Sequence, residues 1–107
     1  TIERRGVFPA EGMESAQLVE TAAHECLTNL VRHAGGTRME IIGEKTESGW
    51  RVRYLNDGKA PNGPIIEGSG LTGLRARTEA TGGKMDIEYV PRFELTLTLP
   101  QERQETL

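Results

Sequence analysis

Apolar residues recur every three or four positions along one long stretch near the start of the chain. Residues 13–34 contain no glycine or proline, and Gly35 and Gly36 end the pattern. This spacing is typical of an amphipathic helix that is stopped by glycine. We therefore predict a long helix over 13–34. Its apolar residues are Leu18, Val19, Ala22, Ala23, Cys26, Leu27, Leu30 and Ala34.

Most of the remaining apolar residues alternate with polar ones, which is typical of strands with one buried face. The alternation is clearest at Leu95, Leu97 and Leu99, and at Trp50, Val52 and Tyr54. The predicted strands are 2–8 at an edge, 37–47 and 49–56 as a hairpin, and 84–90 and 93–99 as a later pair.

Glycine and proline are concentrated in residues 57–70, which predicts a loop, and a second helix is expected over 71–81 before Gly82 and Gly83. The two late strands are too close in sequence for a crossover helix, so the sheet should be mixed. The expected fold class is α/β (α+β), a two-layer sandwich with helices on one face of the sheet. The polar tail after Pro100 is expected to fray.

Composition narrows the class of protein. The chain has 107 residues, of which 36% are hydrophobic and 27% charged, as expected for one soluble domain spanning 1–107. The net charge of −3, with no basic run longer than Arg4 and Arg5, argues against direct nucleic-acid binding. A single cysteine, Cys26, excludes an internal disulfide and favours a cytoplasmic location.

No apolar run approaches the roughly 20 residues that a transmembrane helix needs, so we expect this domain to make no membrane contact. The chain begins at Thr1 rather than Met, which suggests a fragment of a longer protein. That longer protein could carry a membrane anchor elsewhere.

A polar stripe on the long helix is the first group of residues with chemical potential. Glu25, Asn29, Arg32 and His33 stand at i, i+4, i+7 and i+8, within an arc of roughly 100°. A solvated face with i,i+4 pairing is the alternative. A second polar sector already exists at another angle, however, and consists of Glu20, Thr21, His24 and Thr28.

The second group is Asn56-Asp57-Gly58 at the end of a predicted strand. An Asp-Gly pair is often only a tight turn. A carboxylate in this place can also accept a hydrogen bond from the exocyclic amine of adenine, and it would repel the oxygen of guanine.

The third group is Gly68-Ser69-Gly70-Leu71-Thr72-Gly73-Leu74, just before the second helix. Glycines have no side chain and so expose their backbone N–H groups, and a helix start favours an anion, so this segment suits a phosphate group. The spacing also matches the dinucleotide-binding pattern, but no strand directly precedes the first glycine. A Walker loop is excluded because no Gly-Lys-Ser/Thr follows.

Together, in this order, the three groups resemble the N, G1 and G2 boxes of the GHKL ATPase superfamily, which has the Bergerat fold. The N box corresponds to residues 24–34, the G1 box to 56–58 and the G2 box to 68–74. The sequences of residues 27–34 and 70–77 are similar to those of sensor histidine kinases paired with NarL/LuxR-type response regulators. The resemblance covers nearly the whole chain.

The resemblance implies a role for each site residue. Asn29 would coordinate the Mg²⁺ that bridges the phosphates of ATP, Glu25 would lie near the metal or polarise a water, and Arg32 would contact phosphate. His33 would lie near the sugar and base, and Asp57 would bind adenine beside Gly58. The ATP lid would be short and span 59–67, and its hinge and phosphate-facing end would be formed by Gly68, Gly70 and Gly73. The other residues of the G2 box that would bind ATP are Leu71, Thr72 and Leu74.

The family commonly has a Pro-Gly-x-Gly-Thr turn before the last strand, where this chain has Pro91-Arg92-Phe93-Glu94. Thr96 and Thr98 are therefore the candidates for the base-contacting threonine. His24 is not expected to be a phosphoacceptor, because Asn29 and the glycine boxes place its helix in the nucleotide site.

The implied function is binding of Mg-ATP and transfer of the γ-phosphate to a histidine on a separate dimerisation domain, which then supplies a response regulator. The isolated domain should bind ATP but turn it over slowly. The alternatives are a serine kinase of the anti-sigma-factor type and a degenerate nucleotide-binding module. A degenerate module is disfavoured because Glu25, Asn29 and Asp57 are all present. A serine kinase is disfavoured by the sequence Arg75-Ala76-Arg77 after the G2 box.

Overall fold

The computed structural model describes residues 2–29, 38–56, 69–88 and 92–101, with Asn29 and Ser69 described by their backbone only. The described residues form five strands and two helices. Their bounds are β1 Ile2–Gly6, α1 Glu14–Asn29, β2 Met39–Lys45, β3 Gly49–Asn56, α2 Ser69–Ala80, β4 Lys84–Glu88 and β5 Glu94–Pro100.

The strands form one sheet in the order β1-β2-β3-β5-β4. β1 pairs with β2 in parallel, whereas the other three pairings are antiparallel. The predicted mixed sheet, the edge position of the first strand and the β2–β3 hairpin are therefore confirmed. Parallel pairing of β1 with β2 is possible because α1 carries the chain back between them.

One face of the sheet carries the hydrophobic core. Alternate residues of each inner strand are buried, and β3 and β5 pair Val52 with Leu97 and Tyr54 with Leu95 on that face. Both helices pack on the same face, so the predicted two-layer sandwich is confirmed. The helices contribute Leu18, Val19, Ala22, Ala23, Cys26, Leu71 and Leu74.

Charged residues line the opposite face of the sheet. Arg5 of β1 pairs with Glu40 of β2 at 2.9 Å, and Arg51 of β3 pairs with Glu44 of β2 at 3.1 Å. Such exposed pairs each contribute at most about 1 kcal/mol to stability. Their main effect is to keep this face polar, so that only one face is available for packing the helices.

The second helix begins earlier than the sequence indicated. Ser69 and Gly70 were predicted as loop, but they form the start of α2. Leu71 and Leu74 are both buried, and bringing them to the core outweighs the weak helix preference of glycine one residue before them. The end of α2 was predicted correctly, and Gly82 just beyond it has a φ of +87°.

Several predictions fall outside the described residues. They are the end of the first helix at residue 34, the loop over 57–68, the last residues of the strand predicted over 84–90 and the tail after Gln101. Within the described ranges, neither helix is both long and apolar enough to cross a membrane.

Candidate functional site between the two helices

Glu25 of α1 and Gly70 of α2, which the sequence placed in different motifs, lie against each other. A Cβ atom built on Gly70 would lie 2.7 Å from Oε1 of Glu25 and still closer to Oε2. In folded proteins a Cβ atom essentially never lies within 3.0 Å of an atom to which it is not linked through bonds. The carboxylate of Glu25 therefore occupies the space that any other side chain at position 70 would need.

The electrostatics of this contact follow from the start of α2. A helix start carries a partial positive charge because its first N–H groups have no partner within the helix. The first turn of α2 contains no acidic residue of its own. Glu25 supplies a negative charge there from the neighbouring helix, and the arrangement is favourable for both.

The Glu25 carboxylate is half-buried, and no hydrogen bond or ion pair joins it to another residue in the described part of the chain. A carboxylate oxygen of this kind is a donor that Mg²⁺ prefers. The described residues contain no group of three acidic, histidine or cysteine side chains that could hold a metal alone. A cation beside Glu25 would thus need ligands from elsewhere, which fits a metal that is held partly by phosphates.

Asn29 is the last described residue of α1 and follows Glu25 by one helical turn. Only its backbone is described, so the predicted contact of its side chain with Mg²⁺ stays a prediction. Arg32, His33, Asp57, Gly58 and Gly68 lie outside the described residues. His24 is exposed on α1, as expected for a residue outside the polar stripe.

The predicted G2 residues divide into two sets along α2. Leu71 and Leu74 are buried, with 4% and 1% of their surface exposed, so their side chains hold the helix on the core. Thr72 and Gly73 are exposed. A ligand contact at Leu71 would therefore be made by its backbone N–H, because the N–H groups of the first turn have no partner within the helix. Leu74 lies beyond that turn, where the N–H groups are bonded within the helix.

Arg75 fixes the position of α2 on the sheet. Its guanidinium donates a 2.6 Å hydrogen bond to the backbone carbonyl of Met85 in β4. On the other side of the helix, Arg77 donates a 3.5 Å hydrogen bond to the Thr21 hydroxyl of α1. Arg75 and Arg77, the two arginines that follow the G2 box, thus join α2 to β4 and to α1.

The two threonines proposed for base contact do not face the helices. Thr96 and Thr98 alternate with the buried Leu95, Leu97 and Leu99, and they pair with Arg53 and Arg51 on the open face of the sheet. Both side chains therefore lie on the sheet face opposite α1 and α2. The sequence left the replacement of the family's base-contacting threonine undecided between them, and this position on the far face favours neither.

Phe93 is the residue that the sequence reasoning missed at this end of the sheet. It directly precedes Glu94, which pairs with Leu55, so Phe93 and Asn56 are the next residues on two antiparallel strands. Both are buried, with 3% and 6% of their surface exposed. The alternation of β5 continues back from Leu95 to Phe93, and this signal could have placed Phe93 beside Asn56 at the end of β3.

A cavity of about 300 Å³ lies on another side of α1. It is lined by Arg4, Phe8, Pro9, Glu11, Ala16, Val19 and Glu20 and includes none of the predicted site residues. Arg4 and Glu20 form a charge-assisted pair across it, and this hydrogen bond lowers the pKa of the Glu20 carboxyl. This cavity is therefore not the predicted site.

Comparison with known sequences identifies the family, although no protein-family model matches the chain. The signal transduction histidine-protein kinase/phosphatase UhpB of Salmonella typhimurium is 32% identical over 78 residues, which are 72% of this chain and 16% of that protein. The sensor histidine kinase YxjM of Bacillus subtilis is 32% identical over 85 residues, which are 76% of this chain and 21% of that protein. The chain thus spans about a fifth or less of these relatives.

Solved structures show the same fold. The ATP-binding domain of PrrB from Mycobacterium tuberculosis has a TM-score of 0.62 at 22% identity, covering 82% of this chain and 67% of that one. The blue-light activated histidine kinase EL346 of Erythrobacter litoralis has a TM-score of 0.71 at 19% identity, covering 92% of this chain and 37% of that one. The chain belongs to the histidine-kinase family of GHKL ATP-binding domains.

Proposed function

We propose that this domain binds Mg-ATP and donates its γ-phosphate to a histidine on a separate dimerisation domain, from which a response regulator is phosphorylated. The contact between Glu25 and Gly70 supports this proposal most directly. It brings an acid of the N box to the helix start of the G2 box, where the phosphates would bind. The similarity to UhpB and YxjM, which are histidine kinases by name, supports the same activity.

Phosphoryl transfer asks the protein mainly to position the γ-phosphate and to neutralise its charge. The N–H groups at the start of α2 would bind phosphate oxygens. Asn29 would hold Mg²⁺ against the phosphates, with Glu25 near the metal, and the metal would supply positive charge there. Asp57 would bind the exocyclic amine of adenine.

The acceptor histidine has to come from outside the described residues. His24 is exposed on α1, and its backbone carbonyl accepts a 3.0 Å hydrogen bond from the Thr28 hydroxyl. Its place within the N-box helix argues that it is not the group that is phosphorylated. The dimerisation domain and the response regulator, of the NarL/LuxR type, are therefore the proposed partners.

Calorimetric titration of the chain with ADP, ATP and GTP, with and without Mg²⁺, tests this proposal. We expect adenine nucleotides to bind selectively and more tightly with Mg²⁺. Failure of a folded sample to bind any of them would contradict it. Adding the dimerisation domain of a sensor kinase that pairs with a NarL/LuxR-type response regulator should then give acid-labile phosphohistidine. Acid-stable phosphoserine on an added antagonist protein would instead favour the anti-sigma-factor type.

A further inference from the structure

Two glycines of α2 differ in what surrounds them. A Cβ built on Gly73 would meet nothing within 4 Å, so alanine would fit there and would favour the helix. A Cβ built on Gly70 would meet three atoms at 2.7 Å or less, and all three belong to the carboxyl group of Glu25. Local backbone geometry does not explain Gly70 either, because its φ is not positive.

The obstacle at Gly70 is therefore a single flexible side chain and not the backbone or the core. With any side chain at position 70, Glu25 would have to turn away from the start of α2. Nothing else in the described residues would hold it in place, because it has no hydrogen bond or ion pair there. The absence of a Cβ at position 70 thus allows this carboxylate to rest at the start of α2.

We propose that Gly70 is a positioning residue for Glu25: it leaves the space that keeps the Glu25 carboxylate at the start of α2. The functional part of this inference rests on the proposed function, in which Glu25 lies near the bound metal and phosphates. Gly70 then acts on the metal through Glu25 and needs no contact with the nucleotide to do so. The same contact ties the first turn of α2 to the middle of α1.

A double-mutant cycle with Gly70→Ala and Glu25→Ala in the 107-residue chain tests the steric relation first. Thermal unfolding without nucleotide should show that Gly70→Ala raises the melting temperature less in the unaltered chain than in the Glu25→Ala background. The matched control pairs Gly70→Ala with Glu20→Ala, which removes an exposed carboxylate that lies on the same helix and pairs with Arg4. The effects of that second pair should be additive.

Metal dependence of nucleotide binding tests the positioning role. Gly70→Ala should weaken the Mg²⁺-dependent part of ADP affinity by about tenfold, the scale seen when a group that orients a metal ligand is changed. It should have no further effect on this quantity in the Glu25→Ala background. Glu25→Asp shortens the side chain by one methylene and keeps the carboxylate, so it should restore part of the Mg²⁺ dependence when combined with Gly70→Ala.

Two results would overturn the inference. One is additivity of Gly70→Ala and Glu25→Ala in both measurements, and the other is an unchanged Mg²⁺ dependence in Gly70→Ala. Lack of ADP binding by the folded, unaltered chain would instead contradict the proposed function. The unfolding cycle would still decide whether Gly70 makes room for Glu25, because it needs no nucleotide.

Discussion

The Tyr54 hydroxyl donates a 2.8 Å hydrogen bond to the backbone carbonyl of Val19 and so joins β3 to α1 inside the core. Tyr54→Phe removes the hydroxyl and leaves the ring in place. Because the carbonyl of Val19 loses a buried partner, we expect the free energy of unfolding to fall by about 1 kcal/mol. Urea denaturation measures this. An unchanged midpoint would show that the hydrogen bond adds nothing to stability.

Stability should also decrease at alkaline pH because of Cys26. Burial, with a smaller contribution from the charge of Glu25, raises the pKa of this thiol to about 12 from an ordinary value of 9.0. Between these pH values the folded state keeps a proton that the unfolded state releases, so the free energy of unfolding falls as pH rises. The limiting slope is about 1.4 kcal/mol per pH unit.

Cys26→Ala should flatten this decrease between pH 9 and pH 10, whatever its effect on stability at pH 7. The comparison is best made below pH 10, since burial also raises the pKa of Tyr54, whose loss of a proton destabilises the fold at still higher pH. Denaturant unfolding at several pH values measures both chains. Equal slopes in the two would argue against Cys26 as the cause.

Alanine at two glycines should have opposite effects on stability. Gly73→Ala should raise the free energy of unfolding by about 0.5 to 1 kcal/mol, because a Cβ there meets nothing and alanine is the better helix former. Gly49→Ala should lower it by about 1 to 3 kcal/mol, because its Cβ would lie 2.8 Å from the backbone N of Gln101 and closer to the carbonyl of Leu99. A destabilised Gly73→Ala would mean that α2 has contacts on that side.

Asp57→Asn should weaken binding of adenine nucleotides by about 1 to 3 kcal/mol while the fold stays intact. Asparagine lacks the charge of the carboxylate, so it accepts the hydrogen bond from the adenine amine less strongly. Calorimetric titration with ADP measures the effect, and circular dichroism checks the fold. Unchanged affinity would remove Asp57 from the proposed site.

The order of helices and strands could be predicted from the sequence because burial here is one-sided. Alternation at Trp50, Val52 and Tyr54, and again at Leu95 and Leu97, marks strands with one buried face. The helical spacing of α1 is equally clear. Element ends were less accurate, since the glycines of the G2 box suggested a loop where the burial of Leu71 and Leu74 extends the helix.

Contacts between distant segments could not be predicted in the same way. Sequence motifs named Glu25 and Gly70 separately, but no local pattern indicates that one occupies the space beside the other. Thr96 and Thr98 were proposed by residue type, whereas the face on which they lie follows from the register of β5. The role of such residues depends on how strands and helices pair, and no short segment of the sequence determines that pairing.

The position of β1 has a consequence for how the sheet assembles. The β2–β3 and β4–β5 pairs join strands that are close in the sequence, so they can form early and at little loop-closure cost. β1 pairs only with β2, and all of α1 lies between them in the chain. We therefore expect this pairing to form after α1 has docked on the growing core, so that this parallel closure is a late step in folding and the first to open.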